Sequence, residues 1–163
     1  MSARLGPAQP AQGADVIARA VGALALAALA VIHVVDLPAT LGPTPLVGAG
    51  YLGIIAAAVL TGGVMIPRSH WLAWAAAGAV AASAMGGYVL TRAVPGGFLG
   101  DHADVGNWRC PLGIAALSVE AILILLVVLA GWQARARAPR VAPVPVREPV
   151  SRRTPEYSHR QAG

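Results

Sequence analysis

The sequence predicts an all-α membrane protein: a four-transmembrane-helix bundle, both termini in the cytoplasm (N-in/C-in), with a disordered basic C-terminal tail. Three observations carry this expectation. Of the 163 residues, 56% are hydrophobic and only 12% are charged, against roughly 25% charged in ordinary soluble domains, so lipid is the solvent for most of the chain. Four apolar stretches, 16–37, 46–66, 71–91 and 111–132, are each long enough for a helix to cross a hydrocarbon core of roughly 30 Å. Helix breakers fall between these stretches, and the arginines at their ends are distributed unequally.

The N-terminal segment 1–15 precedes the first span, and its apolar run from Ala20 to Val35 is not followed by a small-residue cleavage site with a polar start. It therefore reads as a retained helix and not as a removed signal peptide. Pro38, Pro43 and Pro45 close that span and open the second. Pro67 ends the second, and the tight 67–70 hairpin makes helices two and three antiparallel neighbours. Pro95, Gly96 and Gly97 end the third, and Pro111 opens the fourth. The lone Cys110 excludes an internal disulfide and a multi-cysteine metal site, leaving a packing residue, a free thiol or an intermolecular bridge.

Orientation follows from arginine, the only basic residue type besides His. Arg4, Arg19 and Arg68 share one side with Arg135, Arg137, Arg140, Arg147, Arg152, Arg153 and Arg160, whereas the other side holds Arg92 and Arg109, offset by Asp36, Asp101 and Asp104. The positive-inside rule assigns the arginine-rich side to the cytoplasm. Trp71, Trp74 and Trp132 then mark the inner interface, and Tyr51 with Trp108 the outer one. Residues 133–163 carry seven Arg against Glu148 and Glu156, a net of +5 that equals the formal charge of the whole chain. This Pro- and Arg-rich tail reads as disordered, attracted to anionic lipid or docking a partner; without interleaved aromatics it does not read as a nucleic-acid binder. Gly78, Ala82 and Gly86 on helix three, and Ala49 with Gly53 on helix two, are expected to let helices approach closely, within one bundle or in a homo-oligomer.

Few groups are left to carry chemistry. Glu120 lies about ten residues into the fourth span, near the bilayer midplane, without an adjacent charge. A carboxylate there is disfavoured by several kcal/mol, so Glu120 should face the bundle interior and be protonated unless water or a cation reaches it; it reads either as an interhelical hydrogen-bond donor or as a functional acid. His33 and Asp36 are one turn apart on helix one, a structural pair or a proton- or metal-handling one. Asp15 and Arg19 stand in the favourable acid-first i,i+4 order. The connection from Arg92 to Cys110 is the longest between spans; its Asp101, His102 and Asp104 are too irregularly spaced for a recognised metal motif, and Arg92 stands one turn above Tyr88, with Trp108 at the interface. His33 is the one histidine inside a span, so a monomer cannot supply a bis-histidine haem, and no phosphate loop, HExxH helix or Ser-His-Asp set is present. No cofactor is predicted.

The segments IHVVDLP, GYVLTRAVPGG, DVGNW and PLGIAALSVE resemble a group of small actinobacterial integral membrane proteins. That group places a His near the end of helix one, a GYxLxR ending on helix three, a DxGNW loop and a Glu within helix four. His33, Tyr88, Arg92, Asp104, Trp108 and Glu120 match those positions, while VPGG at 94–97 departs from the group's more usual GLPG. The resemblance implies a four-helix fold in the bacterial plasma membrane and brings no activity with it. Two functions follow as expectations. The first in rank is a non-catalytic accessory or assembly subunit, because a bundle of this size offers little room for a substrate cavity. The other is a proton-, ion- or solute-handling module using an outward mouth of His33, Asp36, Tyr88, Arg92, Asp101 and Asp104 above Glu120. An enzyme ranks below both.

Overall fold

Alternating apolar runs and breakers produce four helices in the computed structural model, which describes residues 10–67 and 70–137. They are α1 (Pro10–Leu41), α2 (Pro45–Met65), α3 (Trp71–Ala93) and α4 (Pro111–Arg137), each with a stretch long and apolar enough to cross a membrane. Each helix packs against its neighbour in sequence, and α1 packs against α4 to close the ring. No more than 33% of the most apolar window of any span is buried. Leu24, Val31, Leu60 and Leu125 are among the large apolar side chains that point outward, a surface that suits contact with lipid.

Three helix limits differ from the sequence expectation, the first being the start of α1, which lies at Pro10 and not near 16. The first helix runs through Pro38 to Leu41. Proline removes one backbone donor and crowds the carbonyl four residues back, but only the last turn is affected here. The hydroxyl of Thr40 donates to the Asp36 carbonyl (3.1 Å) within that turn. At the other end of the chain, α4 includes residues 133–137, expected in the disordered tail. Gln, Ala and Arg there are good helix formers, and Pro139 disfavours helix at the residue before it. Arg4, Arg68, Arg140, Arg147, Arg152, Arg153 and Arg160, with the rest of 138–163, lie outside the described residues.

The apolar core occupies the half nearest the α2–α3 hairpin, where Leu26, Met65, Trp74, Ala77, Ala81 and Leu123 are buried together. Trp74 is therefore a core residue and not an interfacial marker. Its ring lies against Gly22, where an added Cβ would stand 3.3 Å from the indole and 2.9 Å from Met65 Sδ. The expected small-residue contacts also shift. Only Gly78 of its stripe abuts a neighbour, Val127 of α4; Ala82 is exposed and Gly86 has open space beyond it. The inward face of α3 is instead Ala73, Ala77, Ala81 and Ala84, and that of α2 runs through Gly48, Ala58 and Gly62 while Ala49 and Gly53 face out. The small residues that matter are those whose helix rotation turns them inward, which spacing alone does not reveal.

Polar contacts pin the hairpin end. Arg19 pairs with Asp15 (3.3 Å), as the i,i+4 spacing predicts, and its Nη1 also donates to the Ile66 carbonyl at the end of α2 (3.1 Å). A cation there satisfies a terminal carbonyl and favours the helix dipole. His70 caps α3, its Nδ1 accepting from the Leu72 amide (3.2 Å).

Candidate polar cavity

At the end opposite the hairpin, polar residues enter the inward stripes without a change of direction. On α1 the buried face runs Leu26, Leu29, Ala30, His33; on α4 it runs Ala116, Glu120, Leu123. These are helical i, i+3, i+4, i+7 spacings, so His33 and Glu120 occupy positions where apolar residues would complete the core. Between them and the 94–110 loop lies a cavity of about 450 Å³, lined from all four helices. Glu120 is 1% exposed, and it is the tenth residue of α4, about 14 Å along the helix from its first residue at 1.5 Å per residue. The cavity thus reaches about a third of the way along the 27-residue α4.

The loop that borders the cavity is built around Arg92. This side chain is buried, yet its guanidinium is supplied on every side. Nη2 pairs with Asp104 Oδ2 (3.2 Å), Nε donates to the Asn107 carbonyl (3.0 Å), and Nη1 donates to Thr91 Oγ1 (2.8 Å) and to the Tyr88 carbonyl (3.4 Å). The cation also stands 3.7 Å over the centre of the Tyr88 ring, an arrangement that a planar guanidinium favours. Tyr88 in turn donates its hydroxyl to the Trp108 carbonyl (3.0 Å), and the two rings meet edge to face at 6.1 Å. The Gly106 amide returns to the Arg92 carbonyl (3.0 Å).

Two glycines make this packing possible. A Cβ on Gly97 would approach the Asp101 carbonyl oxygen to 2.7 Å, and its φ of +87° is disfavoured for other residues. A Cβ on Gly113 would run into the edge of the Tyr88 ring. Asp101 is buried, its Oδ1 accepting from the Asp104 amide (3.2 Å), while Asp104 Oδ1 accepts from Asn107 Nδ2 (3.3 Å).

Across the cavity, His33 and Asp36 do not bond each other. His33 Nδ1 lies 2.9 Å from the Leu29 carbonyl. A carbonyl only accepts, so Nδ1 carries a proton, and in the neutral ring Nε2 then has the lone pair. Asp36 is joined by Tyr51, whose hydroxyl donates to Asp36 Oδ2 (3.0 Å) and whose ring meets the His33 ring edge-on at 4.8 Å. Tyr51, assigned from sequence to the outer interface, is thus a cavity residue. Its position seven residues into the second span sets its depth near that of Asp36, but not which way it faces. Thr91 and Asn107 were also missed, because neither carries a distinctive signal in sequence. His102 is exposed and does not line the cavity, and Trp108 is half-exposed, contributing its carbonyl and ring edge. Cys110 lines the cavity and is a free thiol.

Glu120 Oε2 is buried without a hydrogen-bond partner. Among the described residues no three His, Cys, Asp or Glu side chains gather as a metal site. Neither a protein-family model, nor a curated protein, nor a solved structure matches this chain, so the functional argument rests on the cavity itself.

Proposed function

We propose that the chain is a four-span bacterial plasma-membrane protein with both termini cytoplasmic, whose outward cavity admits a proton, ion or small polar solute to Glu120. The orientation rests on the arginine bias, and the bacterial location on the resemblance of IHVVDLP, GYVLTRAVPGG and DVGNW. The observation that carries the function is the orphaned Oε2 of a fully buried glutamate facing a polar cavity. A buried acceptor without a donor costs about 1–3 kcal/mol; a donor brought in from outside relieves that cost. The cavity volume is within the roughly 300–1,000 Å³ of small-molecule sites, which removes the size argument for ranking the accessory role first.

Infrared spectroscopy of the protein in lipid tests this, with Glu120→Gln assigning the carboxyl signal. The expected result is a Glu120 band that responds to exchange into D2O within minutes, the sign of a water-reachable site. A carboxyl band that stays unexchanged for hours means a dry structural group and overturns the proposal.

A second reading, a non-catalytic accessory or assembly subunit, is favoured by the small residues Ala49, Gly53 and Ala82 that face away from the bundle, where a partner helix or a second copy would approach closely. In that case the protein purifies from mild detergent with a stoichiometric membrane partner or as a defined homo-oligomer, and Gly53→Leu with Ala82→Leu releases it. The basic tail would hold that partner or anionic lipid.

A further inference from the structure

The cavity is unbalanced in both charge and hydrogen bonding. Four carboxyl side chains, Asp36, Asp101, Asp104 and Glu120, line it with the single guanidinium of Arg92. That guanidinium is committed to Asp104, Asn107, Thr91, Tyr88 and the Tyr88 ring face. Most of the remaining donors are engaged: the Tyr51 hydroxyl with Asp36, the Tyr88 hydroxyl with the Trp108 carbonyl, and the Thr91, Thr40 and Thr44 hydroxyls with backbone carbonyls, which leaves the Ser83 hydroxyl and the Cys110 thiol as neutral donors on the wall. His33 turns its N–H to Leu29. What the cavity leaves unmet includes two acceptors, Glu120 Oε2, which has no partner, and the Nε2 lone pair of a neutral His33. An anion would meet repulsion from the Asp36 and Asp101 carboxylates on the wall, and a solute without positive charge would leave them uncompensated.

We propose that the cavity is the binding site of a small organic ammonium ion, its positive head taken up by Glu120, His33 and Asp36 and its alkyl part lying against the apolar wall. This rests on the reading of the cavity as a solute site and names the class of solute. The wall includes Ile32, Ile54, Phe98 and Leu112, which suit an alkyl group and not a hydrated metal ion, and the absence of a three-ligand cluster among the described residues agrees. Removing Arg92 from competition is part of the design: clamped to the loop, it neutralises Asp104 and leaves Asp36 and Glu120 to the ligand.

The test uses three solutes with one alkyl chain: butylammonium chloride, sodium butyrate and butanol, with sodium chloride as the blank. Each is perfused over the full-length protein in neutral-lipid nanodiscs while infrared difference spectra are recorded, and Glu120→Gln and Tyr51→Phe assign the carboxyl and phenol bands. Butylammonium is expected to perturb both bands saturably, with butyrate and butanol at least about tenfold weaker, and Asp36→Asn is expected to weaken butylammonium binding about tenfold or more. The wild-type comparison needs no variant to fold. If butyrate or butanol perturbs the bands instead, or if none of the three does while Glu120 exchanges rapidly in D2O, the ammonium assignment is wrong and the solute cavity stands. If Glu120 fails to exchange and no solute acts, the ammonium site and the solute cavity fall together.

Discussion

Arg92 shows how much one residue does when four of its five N–H donors are met inside a protein. It holds Asp104, the Asn107 carbonyl and Thr91 while covering the Tyr88 ring, so four separate positions depend on a planar fork. Arg92→Lys keeps the charge but loses the fork and the flat contact with the ring. It is expected to cost about 2 kcal/mol, read as a lower unfolding midpoint in nanodiscs, with Asp104→Asn costing less because Asp104 is 31% exposed in its side chain. Gly113→Ala acts on the same cluster from behind: its methyl displaces the Tyr88 ring, an overpacking expected to cost about 1–3 kcal/mol. It should also release the Tyr88 hydroxyl from Trp108, visible as a shift of the tyrosine phenol band. The Tyr88–Arg92 turn was legible in sequence, because residues four apart share a helix face. The loop partners were not, since backbone carbonyls such as those of Asn107 and Trp108 have no sequence signature.

At the scale of the helix, glycine position separates contact from mere composition. Gly22 of α1 faces Met65 and Trp74, while Gly53 of α2 faces open space. Gly22→Leu is expected to push α1 away from α2 and α3 and to cost about 1–3 kcal/mol or prevent folding. Gly53→Ala is expected to stabilise by up to about 0.8–1 kcal/mol through helix propensity alone. Thermal unfolding of the two single variants in the same lipid checks the contrast; equal effects would mean that the inward faces are misassigned. Helix existence and order were legible from hydropathy and prolines, to within a few residues at most ends. The end of α1 was not, because a proline in the last turn breaks fewer contacts than one in mid-helix, and neither was the end of α4, where helix-forming residues continue past the apolar run.

For the whole molecule, the two halves differ in kind: an apolar core of Leu26, Met65, Trp74 and Leu123 near the hairpin, and a cavity that carries Glu120 and His33, bordered by Arg92's loop, at the other end. The proposed orientation puts that cavity outside, and the single native thiol provides a topological probe. An impermeant maleimide added to intact cells is expected to label Cys110, and butylammonium is expected to slow that labelling because Cys110 lines the cavity. Arg135→Cys in a Cys110→Ser background should react only after permeabilisation; the reverse pattern inverts the topology and points the cavity to the cytoplasm. The amino-acid sequence by itself determined that four helices form, roughly where the connections between them fall, and that Glu120 and His33 are polar exceptions within apolar stretches. These are properties read along one dimension, from apolar length and from residues that cannot continue a helix. Only the tertiary structure decided which faces turn inward, that Tyr51 and not His33 bonds Asp36, and that four spans leave a cavity. Helices apolar on nearly every side carry no stripe that marks the inward face, so their rotation is settled by packing between residues far apart in the chain.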